Sequence, residues 1–262
     1  MEIGLSTASF FGKALTEDCF DLIRQAGVDV CEVFLTTFSE YEHEFGDLLK
    51  ERIGDLRVHS IHTLTNQFEP QLSNRAERTR QDAFAIFDKA LSTMQKLGGK
   101  YYTFHGASII KKSQLSVNYA YESERIRRIC ERVTNFGGEL TYENVHWAMY
   151  RNPEFIKGIH KYIPELKTCL DIKQAMQSGI DYKEFLSADG DTLRTVHVCD
   201  YTSDGLCPPG KGDFDFPELF KHLLDTGYSG PIMVELYSRD YDSFDDVYES
   251  VYYLKNILAN IK

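Results

Sequence analysis

Residues 126–145 read IRRICERVTNFGGELTYENV, and the way this stretch is built decides the fold. Ile126, Ile129, Cys130, Val133 and Phe136 recur at helical spacing and form one apolar stripe, which Gly137-Gly138 brings to a stop. Glu139 to Val145 then follows at once as a short β-favouring run. A helix that hands over to a strand within a few residues is half of a parallel βαβ repeat.

The same alternation extends in both directions. Strand runs are Glu2 to Ala8, Val28 to Leu35, Leu56 to Leu64, Tyr101 to His105, Glu139 to Val145, Leu166 to Ile172, Leu193 to Asp200 and Pro231 to Tyr237. Between them lie helices with their own signatures. Thr16 is expected to cap the first, with Glu17 and Asp18 on its positive start and Gly27 as its end. Ala83, Ile86, Phe87, Ala90, Leu91, Met94 and Leu97 make a stripe that stops at Gly98-Gly99, and Asn152-Pro153 opens a further helix. Leu219, Phe220, Leu223 and Leu224, then Val247, Val251, Leu254 and Leu258, supply the last two; the connection from Gln174 to Asp191 is the least regular. With no linker or change of composition, residues 1–262 read as one α/β domain, a single (β/α)8 barrel, whose usual size is about 250 residues. A doubly wound sheet would place Gly-x-Gly-x-x-Gly after its first strand; here Ser9-Phe10-Phe11-Gly12-Lys13-Ala14 stands there, so no nicotinamide or flavin is expected.

Composition narrows the function. The chain is 42% hydrophobic and 26% charged, has no apolar run of membrane-spanning length, and starts without the basic-then-apolar order of a secretory signal, so a cytoplasmic protein without a membrane partner is expected. Its six cysteines show no Cys-x-x-Cys spacing and read as free thiols. A net charge of −11 repels phosphate backbones, which makes nucleic acid a poor partner and a small molecule a better one.

In a parallel barrel, chemistry gathers at the C-terminal strand ends. Those ends carry His62, His105, Glu143, Asp171, His197 and Glu235 on six consecutive strands. Few basic residues lie in the strands to pair with the carboxylates, and a buried carboxylate without a partner costs several kcal/mol. Metal ligation by Glu143, Asp171, His197 and Glu235 is therefore expected. Such a set suits one divalent ion, Mn, Mg, Co or Zn, able to grip a carbonyl and its neighbouring hydroxyl and hold the enediolate formed when a carboxylate removes a proton. His62 and His105 read as a second ion position, or as substrate contacts or plain packing. Strand alternation allows only one of His59 and His62 to face the barrel. Glu32 is assigned a structural or supporting role unless it points inward. Lys173 reads as a surface lysine opening a short helix, or as a proton carrier and substrate contact beside Asp171. Trp147 offers a plane for a sugar face or packs in the core or an interface, and Lys211, in Gly210-Lys211-Gly212, reads as a phosphate contact or a plain turn. Tyr248 to Tyr253 could cover the interface of a homo-oligomer or pack on the barrel.

Taken in order, Leu140 to Val145, Cys169 to Gln174, Val196 to Asp200, Pro209 to Phe216 and Gly227 to Glu235 resemble the xylose isomerase-like barrel superfamily, which includes sugar and sugar-phosphate isomerases, ketose 3-epimerases, inositol-catabolism isomerases and the endonuclease IV type of apurinic-site nuclease. The resemblance implies Glu143, Asp171, His197 and Glu235 as the ligands of a divalent ion, with Glu143 and Glu235 as the acid/base pair of an isomerase or epimerase acting on a carbohydrate. The nuclease branch also has histidines matching His62 and His105. It needs, in addition, a His where Gln174 stands and an Asp-x-His where Asp204-Gly205-Leu206 stands. Epimerases commonly place a His and an Arg at the positions of Gln174 and Leu206, so the resemblance does not transfer a substrate. A metal-dependent apurinic/apyrimidinic endonuclease and a non-catalytic sugar-binding barrel are the alternatives.

Overall fold

The computed structural model describes residues 1–65, 67–109 and 117–261. Strands β1 (Glu2–Ser6), β2 (Val30–Leu35), β3 (Arg57–Thr63), β4 (Tyr101–Phe104), β5 (Glu139–Glu143), β6 (Lys167–Asp171), β7 (Leu193–Val198) and β10 (Pro231–Val234) close into a parallel barrel, in the order β1-β10-β7-β6-β5-β4-β3-β2. The small strands β8 (Asp200–Thr202) and β9 (Gly205–Cys207) form an antiparallel hairpin on the rim after β7. Each barrel strand lies within its sequence run, because the last residues of most runs leave the ladder to become rim loops. The helices around the barrel are α1 (Cys19–Gln25), α2 (His43–Arg52), α3 (Glu77–Leu97), α4 (Tyr119–Asn135), α5 (Pro153–His160), α6 (Ile172–Ser178), α7 (Tyr182–Asp189), α8 (Phe216–Asp225) and α9 (Phe244–Asn260). Their stripes, such as Phe87, Leu91 and Met94 on α3 and Ile126, Ile129 and Val133 on α4, are buried against the strands. Among the described residues no helix is long and apolar enough to cross a membrane.

Several local expectations change. Thr16 does not cap α1, because its hydroxyl donates to Glu40 Oε1 at 3.1 Å and the helix begins three residues later. The irregular connection after β6 holds two short helices, α6 and α7. Leu224, expected in the α8 stripe, is 42% exposed. His59 and His62 both turn into the barrel. Between β2 and β3, Cys31 pairs with Val58 and Glu32 with Ser60, so His59 is an extra residue that breaks the alternation. Its Nε2 crosses the barrel floor to Arg194 O at 3.2 Å and Thr195 Oγ1 at 3.0 Å.

One buried pair in the outer layer makes stability depend on pH. Tyr150 donates its hydroxyl to Asp189, and burial pushes the Asp189 carboxyl up to about 7 against the pull of Tyr150 and Thr168. The folded protein therefore keeps this proton up to about pH 7, whereas an unfolded aspartate releases it near about pH 4, so the Asp189 contribution to stability falls as pH rises between those values. Asp189→Asn keeps an acceptor for Tyr150 but cannot ionise. In urea unfolding, its stability relative to the unaltered protein is expected to climb by a few kcal/mol from about pH 4 to about pH 7. A pH-independent difference would refute this account.

Candidate active site

The four expected ligands stand on four neighbouring strands, at or just past their C-terminal ends, because β5, β6, β7 and β10 are adjacent in the barrel. The register places Asp171 beside His197, and Glu235 stands two residues beyond Met233, the β10 partner of His197. His197 Nδ1 lies 3.2 Å from Glu143 Oε1 and 3.1 Å from Glu235 Oε2. Asp171 joins through Lys173, whose Nζ is 3.3 Å from Asp171 Oδ2 and 3.1 Å from Glu235 Oε1. The backbone of Asp171 is fixed by Asn144, which accepts from its N–H at 2.6 Å and donates to its carbonyl at 2.9 Å. Asp171 Oδ1 accepts from the Gln174 amide at 2.9 Å and so caps α6, leaving Oδ2 for the site.

Glu32 points inward and is wholly buried. It accepts from Ser60 at 2.6 Å and Thr103 at 2.9 Å, and its Oε1 sits 3.1 Å from His197 Nε2 and 3.3 Å from His62 Nδ1. A carboxylate on the far ring nitrogen leaves Nδ1 of His197 to face the site, the arrangement that orients metal-binding histidines. Burial works against charge on both partners, but Glu32 is held well below the usual carboxylate range by His197 and His62, while the Glu32 and Glu235 carboxylates push His197 well above the usual histidine range. Burial raises Asp171 to about 7 despite the Lys173 ammonium.

A cation would satisfy what the protein leaves open. Asp171 Oδ2 and Glu235 Oε2 are buried without a directed hydrogen bond among the described residues. Ligand atoms of Glu143, Cys169 and His197, and of Glu32, His197 and Glu235, lie within 4.8 Å of one another. Both groups centre on His197 and neither includes Asp171; their carboxylates, imidazole and the Cys169 thiol are donor types that suit a divalent ion. Among the described residues, no three-ligand group of this kind forms at His62 and His105, where the second ion was expected.

Residues 20–257 match the family described as xylose isomerase-like TIM barrel. The chain belongs to that family. An uncharacterized protein of Methanocaldococcus jannaschii is 26% identical over 251 residues, covering 91% of this chain and 90% of its own. Fructoselysine 3-epimerase of Escherichia coli O157:H7 is 23% identical over 183 residues, 66% of this chain and 65% of that one. Among solved structures, a D-tagatose 3-epimerase-like protein superposes with a TM-score of 0.82 at 20% identity, covering 100% of this chain and 98% of the other. The IOLI protein with a bound zinc atom does so with a TM-score of 0.77 at 16% identity, covering 100% and 98%.

In this xylose isomerase-like barrel the site forms the floor of a cavity of about 440 Å³. His62, His105, Trp147 and Lys173 all line it, with Trp147 stacked on His105 at a ring separation of 6.4 Å. Lys173 is not the surface lysine expected: only 2% of its side chain is exposed, because it sits in the first turn of α6 directly behind Asp171. The pairing cation that the strands lack thus comes from a helix. Lys211 does not join the set. It is exposed and pairs with Asp246 and Glu249 on α9, since the rim hairpin carries its loop outward. Nor is Gly210-Lys211-Gly212 an open phosphate cradle, as the amides of Gly210 and Gly212 both donate to Asp200 Oδ2 at 3.0 Å. Gln174, at the family's histidine position, accepts from the backbone amide of His146 at 3.2 Å and pairs with its Nδ1 at 2.6 Å.

Glu69, which sequence reading missed, is the least expected member. It sits on a short 3-10 turn after β3, outside any periodic pattern, and only the buried charge itself could have flagged it. It accepts from Tyr102 at 2.7 Å, Thr63 at 3.3 Å and the His105 amide at 3.3 Å, and meets His105 Nδ1 at 3.1 Å. This turns His105 Nε2 to within 3.4 Å of Glu143 Oε2. Glu69→Gln would set amide hydrogens against those donors. It is expected to cost about 1–3 kcal/mol in thermal or urea unfolding, and an unchanged stability would exclude this anchoring role.

Proposed function

We propose that this barrel is a divalent-metal-dependent isomerase or epimerase of a sugar, a sugar phosphate or a related polyol. The observation that carries the reading is the meeting of Glu143 and Glu235 at one nitrogen of His197, on the floor of a cavity large enough for such a molecule. Glu143, Asp171, His197 and Glu235 would hold one ion of Mn, Mg, Co or Zn. When bound, that ion supplies Lewis-acid polarisation of a carbonyl and its neighbouring hydroxyl.

The proton work falls to the chain itself. Glu143 and Glu235 reach the substrate from β5 and β10, so one carboxylate takes the proton from the carbon beside the carbonyl and the other returns one to the opposite face or the adjacent carbon. His105, held by Glu69, stands at Glu143 to exchange a proton with it. Phe11, Phe34, Trp147 and Tyr237 wall the cavity, giving apolar faces for a sugar ring and excluding water from the carbanion. The names borne by the relatives, 3-epimerases of fructoselysine and of a tagatose type, and the zinc in IOLI support the same reading.

The test is a panel of ketoses, aldoses and their phosphates in D2O, with each of the four metals in turn. Deuterium should enter the carbon beside the carbonyl of at least one sugar. No exchange, with cleavage of an abasic duplex by the zinc-restored protein, would replace this reading with the nuclease. Sugar binding without either activity would make it a binding barrel.

A further inference from the structure

The site contains a cation of its own. Lys173 is enclosed, and its ammonium has two anionic neighbours, Asp171 Oδ2 at 3.3 Å and Glu235 Oε1 at 3.1 Å, with the Tyr237 ring 4.5 Å away on another side. Asp171 has no other oxygen to offer, since Oδ1 is committed to the Gln174 amide. Glu235 turns its remaining oxygen to His197. The ammonium therefore holds oxygens that a divalent ion at this site needs. Two like charges a few ångströms apart in a buried place repel strongly, so lysine and ion cannot share these carboxylates at full strength.

We propose that Lys173 is a resident cation that competes with the divalent ion for Asp171 and Glu235, and that the ion's arrival turns its ammonium toward the bound substrate. Without an ion, Lys173 keeps two buried carboxylates paired and in place, which spares the metal-free fold the cost of an uncompensated charge. When the ion takes over those oxygens, the ammonium is still buried and needs an acceptor. The free direction is the cavity it lines beside Gln174 and Tyr237. A substrate oxygen placed there would receive its hydrogen bond; this second half rests on the proposed function, the first half does not.

The two roles give opposite signs in one variant. Lys173→Met fills the same space without charge, and thermal unfolding with calorimetric titration of MnCl2 reads the result. Metal-free K173M is expected to melt below the unaltered protein, yet to bind Mn with a Kd lower by about tenfold or more. K173R, which keeps the charge, should bind Mn as the unaltered protein does. A lysine that only supports the fold would lower stability with and without Mn and leave Kd unchanged or raised, and either Kd result overturns the competition. If metal-free K173M does not fold, K173Q carries the same comparison. On a sugar that the unaltered protein turns over, K173M should lose about a hundredfold in kcat with little change in KM; an unaltered kcat removes the substrate contact. Should no sugar react with either protein, the isomerase reading fails while the Mn titration still decides the competition.

Discussion

Glu235→Gln is expected to lower kcat by about 10²–10⁴-fold, the range spanned by a lost general acid or base, while the barrel stays closed. The fold should survive because the Glu235 backbone amide donates to Val198 O at 3.0 Å whatever the side chain is. The site should not. Glu235 faces Lys173 with one oxygen and His197 with the other, and an amide would present N–H groups to one of these two donors. The same substitution removes a ligand charge and the group that moves the proton, so deuterium exchange into substrate should fall in parallel with turnover. Glu143→Gln is expected to match it, because Glu143 meets the same nitrogen of His197. Turnover and exchange that persist at the original rate would remove Glu235 from the chemistry.

Chelation should have an equally large effect. Dialysis against EDTA is expected to abolish turnover, and one of Mn, Mg, Co or Zn to restore it. The oxygens of Asp171 and Glu235 that accept no directed hydrogen bond are the reason, since a divalent ion would take them over from Lys173 and His197, which stand beside them in its absence. Because an ion that binds only the folded chain stabilises it, the melting temperature should rise with metal concentration, by about 2.7 kcal/mol of stability when the free ion reaches about a hundred times its Kd. Full activity after exhaustive chelation, with no change in melting, would end the metal-dependent reading.

Much of this was legible beforehand, for a definite reason. Parallel barrel strands are short, apolar and followed by helices with their own stops, so the strand-end positions of Glu143, Asp171, His197 and Glu235 could be read by asking what stands there. What failed was direction and reach. His59 needed the register shift opposite Cys31 and Glu32, which no alternation rule contains. Lys173 looked like a solvated helix residue, and only the tight turn from β6 into α6 aims it back over the barrel. Glu69 comes from a turn with no period to read, and Lys211 depends on where the rim hairpin throws its loop. Side chains carried by regular elements were readable; those carried by connections were not.

The barrel's circular order has one more consequence. The four charged groups occupy one arc, β5 to β10, whereas Phe11, Phe34 and Leu64 follow or belong to the strands of the opposite arc, β1 to β3. Under the proposed function, selectivity can therefore drift at these apolar positions while the four groups stay untouched, and an engineer seeking a new substrate for this scaffold would randomise those three positions first.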